Sequence, residues 1–140
     1  MQFGNLATDG NMVHEALAQE LSTALDRSGL SQLEVERRTD IPDSTLARYF
    51  KGTIKTPKPS VLAKLALVLN VSYEYLMVLA DHPLSADPAT ADEAQALELI
   101  RAYSWAGKLL RDLAALRPEG RAAVLALVRT LRTHEGTDPQ

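Results

Sequence analysis

The fold is decided by the stretch SQLEVERRTDIPDSTLARYFKG, residues 31–52. Ser31 is a favourable helix N-cap, and Glu34, three residues later, completes the pattern of a capping box. Pro42 interrupts the helix that starts there, because proline lacks a backbone donor and disfavours helical backbone in the residue before it. A second helix then runs to a stop at Gly52. The stretch therefore predicts two short helices joined by a tight turn.

Helical periodicity extends on both sides of this stretch and predicts five helices over residues 12–80. Ser28-Gly29 ends the first helix, and Ser60 and Ser72 are expected to cap the fourth and the fifth. Residues 1–11, rich in glycine and short polar side chains, are expected to be a flexible N-terminus. The side chains expected to face a shared core are Val13, Ala16, Leu17, Leu21, Ala24, Leu25, Leu46, Tyr49, Phe50, Leu62, Leu65, Ala66, Leu69, Tyr75, Leu76 and Leu79.

The composition changes after this domain. Residues 81–92 contain two prolines among small and acidic residues and are interpreted as a linker. Residues 93–135 return to helical periodicity, broken once at Pro118, and predict a helical hairpin before a polar tail, residues 136–140. A hairpin of this size buries too little to be stable alone, so it is expected to pack on the first domain or on another subunit. The residues expected to pair two subunits are Leu99, Tyr103, Trp105, Leu110, Leu113, Val124, Val128 and Leu131.

Composition limits the possible functions. The chain lacks cysteine, so it can form neither a disulfide nor a thiolate zinc site. Its three histidines are far apart, and no metal or other cofactor is expected. No glycine-rich phosphate loop, nucleophile motif or paired histidine and carboxylate spacing supports an enzyme. The sequence has neither a long uncharged apolar run nor the pattern of a signal peptide, so a cytoplasmic protein without a membrane segment is expected.

Charge is unevenly distributed along a chain whose net charge is only -3. Residues 12–36 carry five acidic side chains against the single basic Arg27. Residues 37–64 reverse this, with seven basic side chains against Asp40 and Asp43. Such a cluster is typical either of a phosphate-binding surface or of an ordinary solvated basic surface. The basic side chains are Arg37, Arg38, Arg48, Lys51, Lys55, Lys58 and Lys64.

The order of side chains between Gln32 and Gly52 resembles the phage-repressor or XRE type of helix-turn-helix family. The resemblance spans about residues 12–80 and implies a five-helix, lambda-repressor-like domain. With the C-terminal helical hairpin, which the resemblance does not cover, an all-α protein is expected. Two positions depart from the family pattern: Glu36 stands where a small residue is usual, and Asp40 where glycine is frequent. Aspartate tolerates left-handed backbone better than most residues. The matching residues are Ser31-Gln32, Val35, Ile41, Leu46, Tyr49, Lys51-Gly52, then Lys55-Thr56-Pro57-Lys58-Pro59, Leu62-Ala63-Lys64-Leu65-Ala66 and Leu69-Asn70-Val71-Ser72-Tyr73-Glu74-Tyr75-Leu76.

The resemblance implies a sequence-specific regulator that binds double-stranded operator DNA through its third helix in the major groove. Arg48 is the first candidate for reading a base, because its guanidinium can donate two hydrogen bonds to guanine. The positions that match the family's base-facing residues are Asp43, Ser44, Thr45, Ala47 and Arg48. Those expected to contact the DNA backbone are Gln32, Lys51, Lys55 and Lys58.

One helix in one groove reads few base pairs, so a homodimer on a two-fold site is expected. The C-terminal segment is the candidate for making it. An antitoxin-type protein, whose C-terminal segment holds a partner protein, is the alternative left open. Within the regulators, a phage or prophage immunity repressor and a host repressor fit the sequence equally well.

Overall fold

The computed structural model describes residues 13–83 and 88–135, and in that part of the chain every regular element is a helix. The all-α class expected from the sequence is therefore confirmed. The N-terminus 1–11 and the tail 136–140, expected to be flexible and polar, lie outside the described residues. The helices are α1 (Glu15–Ser28), α2 (Gln32–Thr39), α3 (Asp43–Lys51), α4 (Pro59–Leu69), α5 (Tyr73–Leu79), α6 (Pro88–Ala102), α7 (Ala106–Ala115) and α8 (Pro118–Glu135).

Serine caps and left-handed residues define many ends of the first five helices. Ser31 Oγ accepts a hydrogen bond from the Glu34 amide at 3.1 Å, and Ser72 Oγ accepts one from the Tyr75 amide at 3.1 Å. Both caps confirm the sequence prediction. The residues that end α1 to α4 all have positive φ, which releases the chain from helical backbone. They are Gly29, Asp40, Gly52 and Asn70.

Two local predictions are wrong. α4 begins at Pro59 and has no side-chain cap, so Ser60 lies inside the helix rather than at its cap position. Proline fits the first helical turn because no intrahelical acceptor is waiting for its missing N–H. In α5 the buried tyrosine is Tyr73, and Tyr75 is exposed. Tyr73 is three residues from Leu76 and therefore shares its inward face, whereas Tyr75 points away from it.

The chain divides into two compact units, Met1–Ala102 and Tyr103–Gln140. In the first unit α4 is the central helix, packed against α1, α2, α5 and α6. Its Leu62 and Leu65 are completely buried, in a core shared with side chains of α1 to α3 and α5. Most of the predicted core is confirmed, but Val13 and Ala16 at the start of α1 are exposed.

α6 differs from the sequence prediction in both extent and position. It begins at Pro88, inside the expected linker 81–92, because proline and small residues are compatible with a helix start. Its Gln95 donates a hydrogen bond to the Ala63 carbonyl of α4 at 3.3 Å. Leu99, expected in the pairing seam, packs instead against the core of the first unit. Helical spacing marked Leu99 as inward, but it could not identify the surface that the side chain meets.

The second unit contains α7 and α8. A turn precedes α7, where the Ala106 amide donates to the Tyr103 carbonyl at 3.0 Å, so the expected continuous helix is interrupted. Aromatic residues, Ser104 and Gly107 are weaker helix formers than the alanine and leucine around them, which accounts for the break. Neither α7 nor α8 has a buried residue. In the part of the chain that the structure describes, no helix is both long and apolar enough to span a membrane.

Candidate nucleic-acid interface

α3 has one face in the core and one face in solvent. Leu46 and Tyr49 are buried on its inward face. On the opposite side Ser44, Arg48 and Lys51 are exposed. This separation follows from the sequence, because residues three or four positions apart in a helix share a face. Of the other predicted base-facing positions, Asp43 is exposed, and Thr45 and Ala47 are partly exposed.

The start of α2 supports the start of α3 through a direct side-chain contact. Gln32 Nε2 donates a hydrogen bond to Asp43 Oδ1 at 3.2 Å. The two side chains are the first residues of their helices, and both are accessible to solvent to some extent. The contact leaves the second amide hydrogen of Gln32 available to another acceptor, and it engages the carboxylate of Asp43 within the protein. The contact therefore holds the first turns of α2 and α3 together through Asp43 Oδ1.

The turn between α2 and α3 is fixed by buried groups. Thr39 is completely buried; its Oγ1 donates to the Val35 carbonyl at 2.7 Å and accepts from the Ile41 amide at 3.2 Å. Asp40 adopts left-handed backbone, with φ 59°, in the place where the resembling family often has glycine. Ile41 then returns to the core. The Thr39 hydroxyl thus supplies the acceptor for the Ile41 amide, which follows α2.

The end of α3 lies directly against the start of α1. Gly52 has φ 80°, and a Cβ there would lie 3.1 Å from the Ala18 Cβ and 3.1 Å from the His14 carbonyl oxygen. The Gly52 carbonyl accepts a hydrogen bond from the His14 amide at 3.1 Å. Glycine is needed here both for the left-handed backbone and for the close approach.

The basic loop, residues 53–58, is anchored at three places. The Tyr49 hydroxyl accepts a hydrogen bond from the Lys58 amide at 2.8 Å, which ties the loop to α3. His14 Nε2 lies 3.3 Å from the Lys55 carbonyl oxygen, and His82 Nε2 lies 2.6 Å from the Pro57 carbonyl oxygen. These contacts use backbone atoms of the loop, so the side chains of Lys55 and Lys58 remain exposed.

Six of the seven cations between residues 37 and 64 are exposed, and the seventh, Lys64, is buried. Arg38 pairs with Glu34 at 2.8 Å, and this contact, a side-chain hydrogen bond, holds the pKa of Glu34 below its usual value. Arg48 donates to Thr45 Oγ1 at 3.5 Å, a long and weak contact that a better acceptor can replace. Glu36 forms no ion pair with Arg48 among the described residues.

Sequence reasoning missed four residues that shape this surface. They are His14, His82, Lys64 and the hydroxyl of Tyr49, and each acts on a backbone atom. Their partners lie between 9 and 41 residues away in the sequence. No local pattern could reveal such pairs. The described residues contain no group of three or more His, Asp or Glu side chains arranged to hold a metal ion.

The predicted pairing residues are distributed over both units. Trp105 and Leu110 of the α7 region and Val128 and Leu131 of α8 are exposed. Leu113, Val124 and Tyr103 are partly exposed. Further apolar side chains are exposed beside them: Leu109, Leu116, Leu125 and Leu127. Arg121 of α8 donates to the Leu116 carbonyl, which fixes the turn between the two helices.

Comparison with known proteins finds a family match within the first unit. A family model described as Helix-turn-helix matches residues 21–76, from the middle of α1 to the middle of α5. Searches of curated proteins and of solved structures find no match. The matched segment contains the whole of α2, the turn, α3 and the basic loop. Residues 21–76 therefore match the XRE-type, lambda-repressor-like helix-turn-helix family, a family of sequence-specific DNA-binding transcription regulators.

Proposed function

We propose that the chain is a transcriptional repressor that binds a two-fold operator as a homodimer, with α3 of each subunit in the major groove. The observation that carries the proposal is the solvent-facing side of α3, where Ser44, Arg48 and Lys51 stand opposite the buried Leu46 and Tyr49. The major groove is wide enough to admit a helix, and its base edges distinguish all four base pairs. A rigid helix with an exposed cationic face supports this mode of binding.

Arg48 is assigned the main role in reading sequence. Its side chain is exposed, and among the described residues only the long contact to Thr45 holds it. A guanidinium that donates two bonds to guanine contributes about 1 to 3 kcal/mol of discrimination. Ser44 and Thr45 supply hydroxyls for bases or phosphates, and Ala47 can contact a thymine methyl group.

Contacts to the DNA backbone are assigned to the end of α3, to the basic loop that follows it and to the start of α2. Lys51 ends the helix, and Lys55 and Lys58 are carried by the anchored basic loop. Gln32 can donate its second amide hydrogen to a phosphate while it continues to support Asp43. These contacts set the register of the protein on the duplex without reading sequence.

Homodimerisation is assigned to the second unit. Its helices contain no buried residue, and an exposed apolar surface is typical of a site that associates with another molecule. A second copy supplies the two-fold symmetry that an operator of two half-sites needs. Light scattering on the purified chain tests this assignment. A monomer in solution would contradict the dimer and favour the antitoxin-type alternative, in which this unit holds a different protein.

The DNA-binding mode is tested by selection of bound sequences from random duplexes. The wild-type protein, Arg48→Ala and Lys55→Ala are compared, with Arg27→Ala on α1 as the matched control. Arg48→Ala should lose preference at one base pair in each half-site, whereas Lys55→Ala should weaken all duplexes and reduce the salt slope by about one. Arg27→Ala should select the wild-type sequence. Equal selectivity in all four proteins would remove α3 from the reading role.

Repression itself requires a transcription assay. A promoter that overlaps the selected site should be silenced by the wild-type chain and released by Arg48→Ala. Activation of that promoter would contradict the repressor assignment and leave the DNA-binding assignment in place. The same assay, with the promoters of a phage genome or of the host as templates, distinguishes an immunity repressor from a host regulator.

A further inference from the structure

Lys64 is a cation that the proposed DNA contacts do not use. Its sequence position within the basic region suggested a phosphate contact, but the side chain lies on the inward face of α4 and is only 9% exposed. Phosphate binding requires an ammonium group that can reach the DNA surface. A buried lysine is also rare, because the charged group loses its hydration, and it calls for a specific partner.

That partner is the end of α2. Lys64 Nζ donates a hydrogen bond to the Thr39 carbonyl oxygen at 2.8 Å. Thr39 is the last residue of α2, so its carbonyl is one of the groups that the helix itself leaves without an intrahelical donor. A cation at this end of a helix also interacts favourably with the helix dipole.

Thr39 also takes part in the turn that leads into α3. Through its own hydroxyl, Thr39 binds the Ile41 amide on the far side of the turn. Asp40, which lies between Thr39 and Ile41 in the sequence, has a left-handed backbone conformation, and its carboxylate attracts the Lys64 ammonium. Burial lowers the pKa of Lys64, and the Asp40 charge opposes that change. Lys64 therefore links α4, the central helix of the core, to the residues that set the direction of α3.

We propose that Lys64 is a positioning residue for DNA reading, which fixes the α2–α3 turn through the Thr39 carbonyl and thereby sets the orientation of α3. The proposal rests on the proposed function of α3. A small change in the angle of α3 moves Arg48 relative to the base edges, whereas contacts from the flexible lysine side chains to phosphates adapt to it. Loss of Lys64 should therefore lower specificity more than general affinity for DNA.

The test compares Lys64→Met with Lys64→Arg. Methionine keeps an unbranched apolar stem without the ammonium, and arginine keeps a cation that can donate to the same carbonyl. The matched control is Lys108→Met, which removes the same charge from an exposed position of the second unit. Binding of each protein is measured on the selected duplex and on a scrambled duplex, at a temperature where circular dichroism finds the protein folded.

Lys64→Met should lower the ratio of specific to non-specific affinity about tenfold, the size expected when a misplaced α3 loses one base contact. Lys64→Arg should restore the ratio to within about threefold of wild type, and Lys108→Met should leave it unchanged within about twofold. A role in stability alone would lower the melting temperature and leave the ratio of the folded protein intact. That result would overturn the proposal.

Two controls keep the outcome decisive. If Lys64→Met is unfolded, Lys64→Leu, which also has no hydrogen-bond donor, replaces it, and a wild-type ratio in that variant would overturn the proposal. The wild-type protein separates this inference from the proposed function. Absence of any preference in the wild type removes the function, whereas a wild-type preference that survives in Lys64→Met removes only the role of Lys64.

Discussion

Asp40 offers a direct test of the turn that joins α2 and α3. Its φ of 59° lies in the left-handed region, which costs an ordinary L-residue about 1 to 2 kcal/mol and glycine almost nothing. Asp40→Gly and Asp40→Ala both remove the carboxylate, so both lose its attraction to Lys64 equally. The difference between the two variants therefore isolates the backbone contribution.

The glycine variant is expected to be the more stable of the two by about 1 kcal/mol, after allowance for the larger conformational entropy of glycine in the unfolded chain. For a domain of this size, that difference corresponds to a melting temperature about 4 °C higher. Native-state hydrogen exchange of the buried Val35 and Leu62 amides in urea measures the free energy of unfolding of the first unit by itself. Asp26→Ala, in the helical backbone of α1, is the matched control and should not be destabilising. Equal stability of Asp40→Gly and Asp40→Ala would refute the reasoning.

Three further predictions concern other contacts. Tyr49→Phe should destabilise the first unit by about 1 kcal/mol in urea unfolding, because the Lys58 amide loses its acceptor; unchanged stability would contradict that bond. Arg38→Ala should raise the pKa of Glu34 toward 4.5 in an NMR titration, because the hydrogen bond from Arg38 is what lowers it. The ion pair stabilises the fold above that pH, and this stabilisation is lost as pH falls through the lowered pKa. An unmoved pKa in Arg38→Ala would exclude the pair. A chain that ends after Ala102 should keep the melting temperature of the first unit, whereas one that ends after residue 83 should melt lower, because it lacks α6.

The local chemistry of the turn could be predicted from the sequence. The Ser31 cap, the stop at Gly52 and the left-handed tolerance of Asp40 depend on residues within one helical turn of each other. The two faces of α3 follow from helical spacing in the same way. For this reason the short stretch that defines the helix-turn-helix also contains most of the information about its shape.

The partners of inward residues could not be predicted from spacing. Helical spacing predicts an inward face for Leu99, and in the structure this side chain packs against the core of the first unit. Lys64 was counted with the surface cations because charge predicts exposure, and only the meeting of α4 with the end of α2 reverses that expectation. The tyrosines of α5 illustrate a third limit, since a short helix with two aromatic residues offers two plausible inward faces.

The single tryptophan of the chain gives the second unit an intrinsic optical label. Trp105 is 57% exposed, and its ring centroid lies 5.2 Å from that of Tyr103 in the same unit. Its emission therefore reports on the surroundings of α7. Excitation at the red edge of the absorption band selects the indole over the tyrosines, so dilution of the protein can be followed through the second unit without a chemical label.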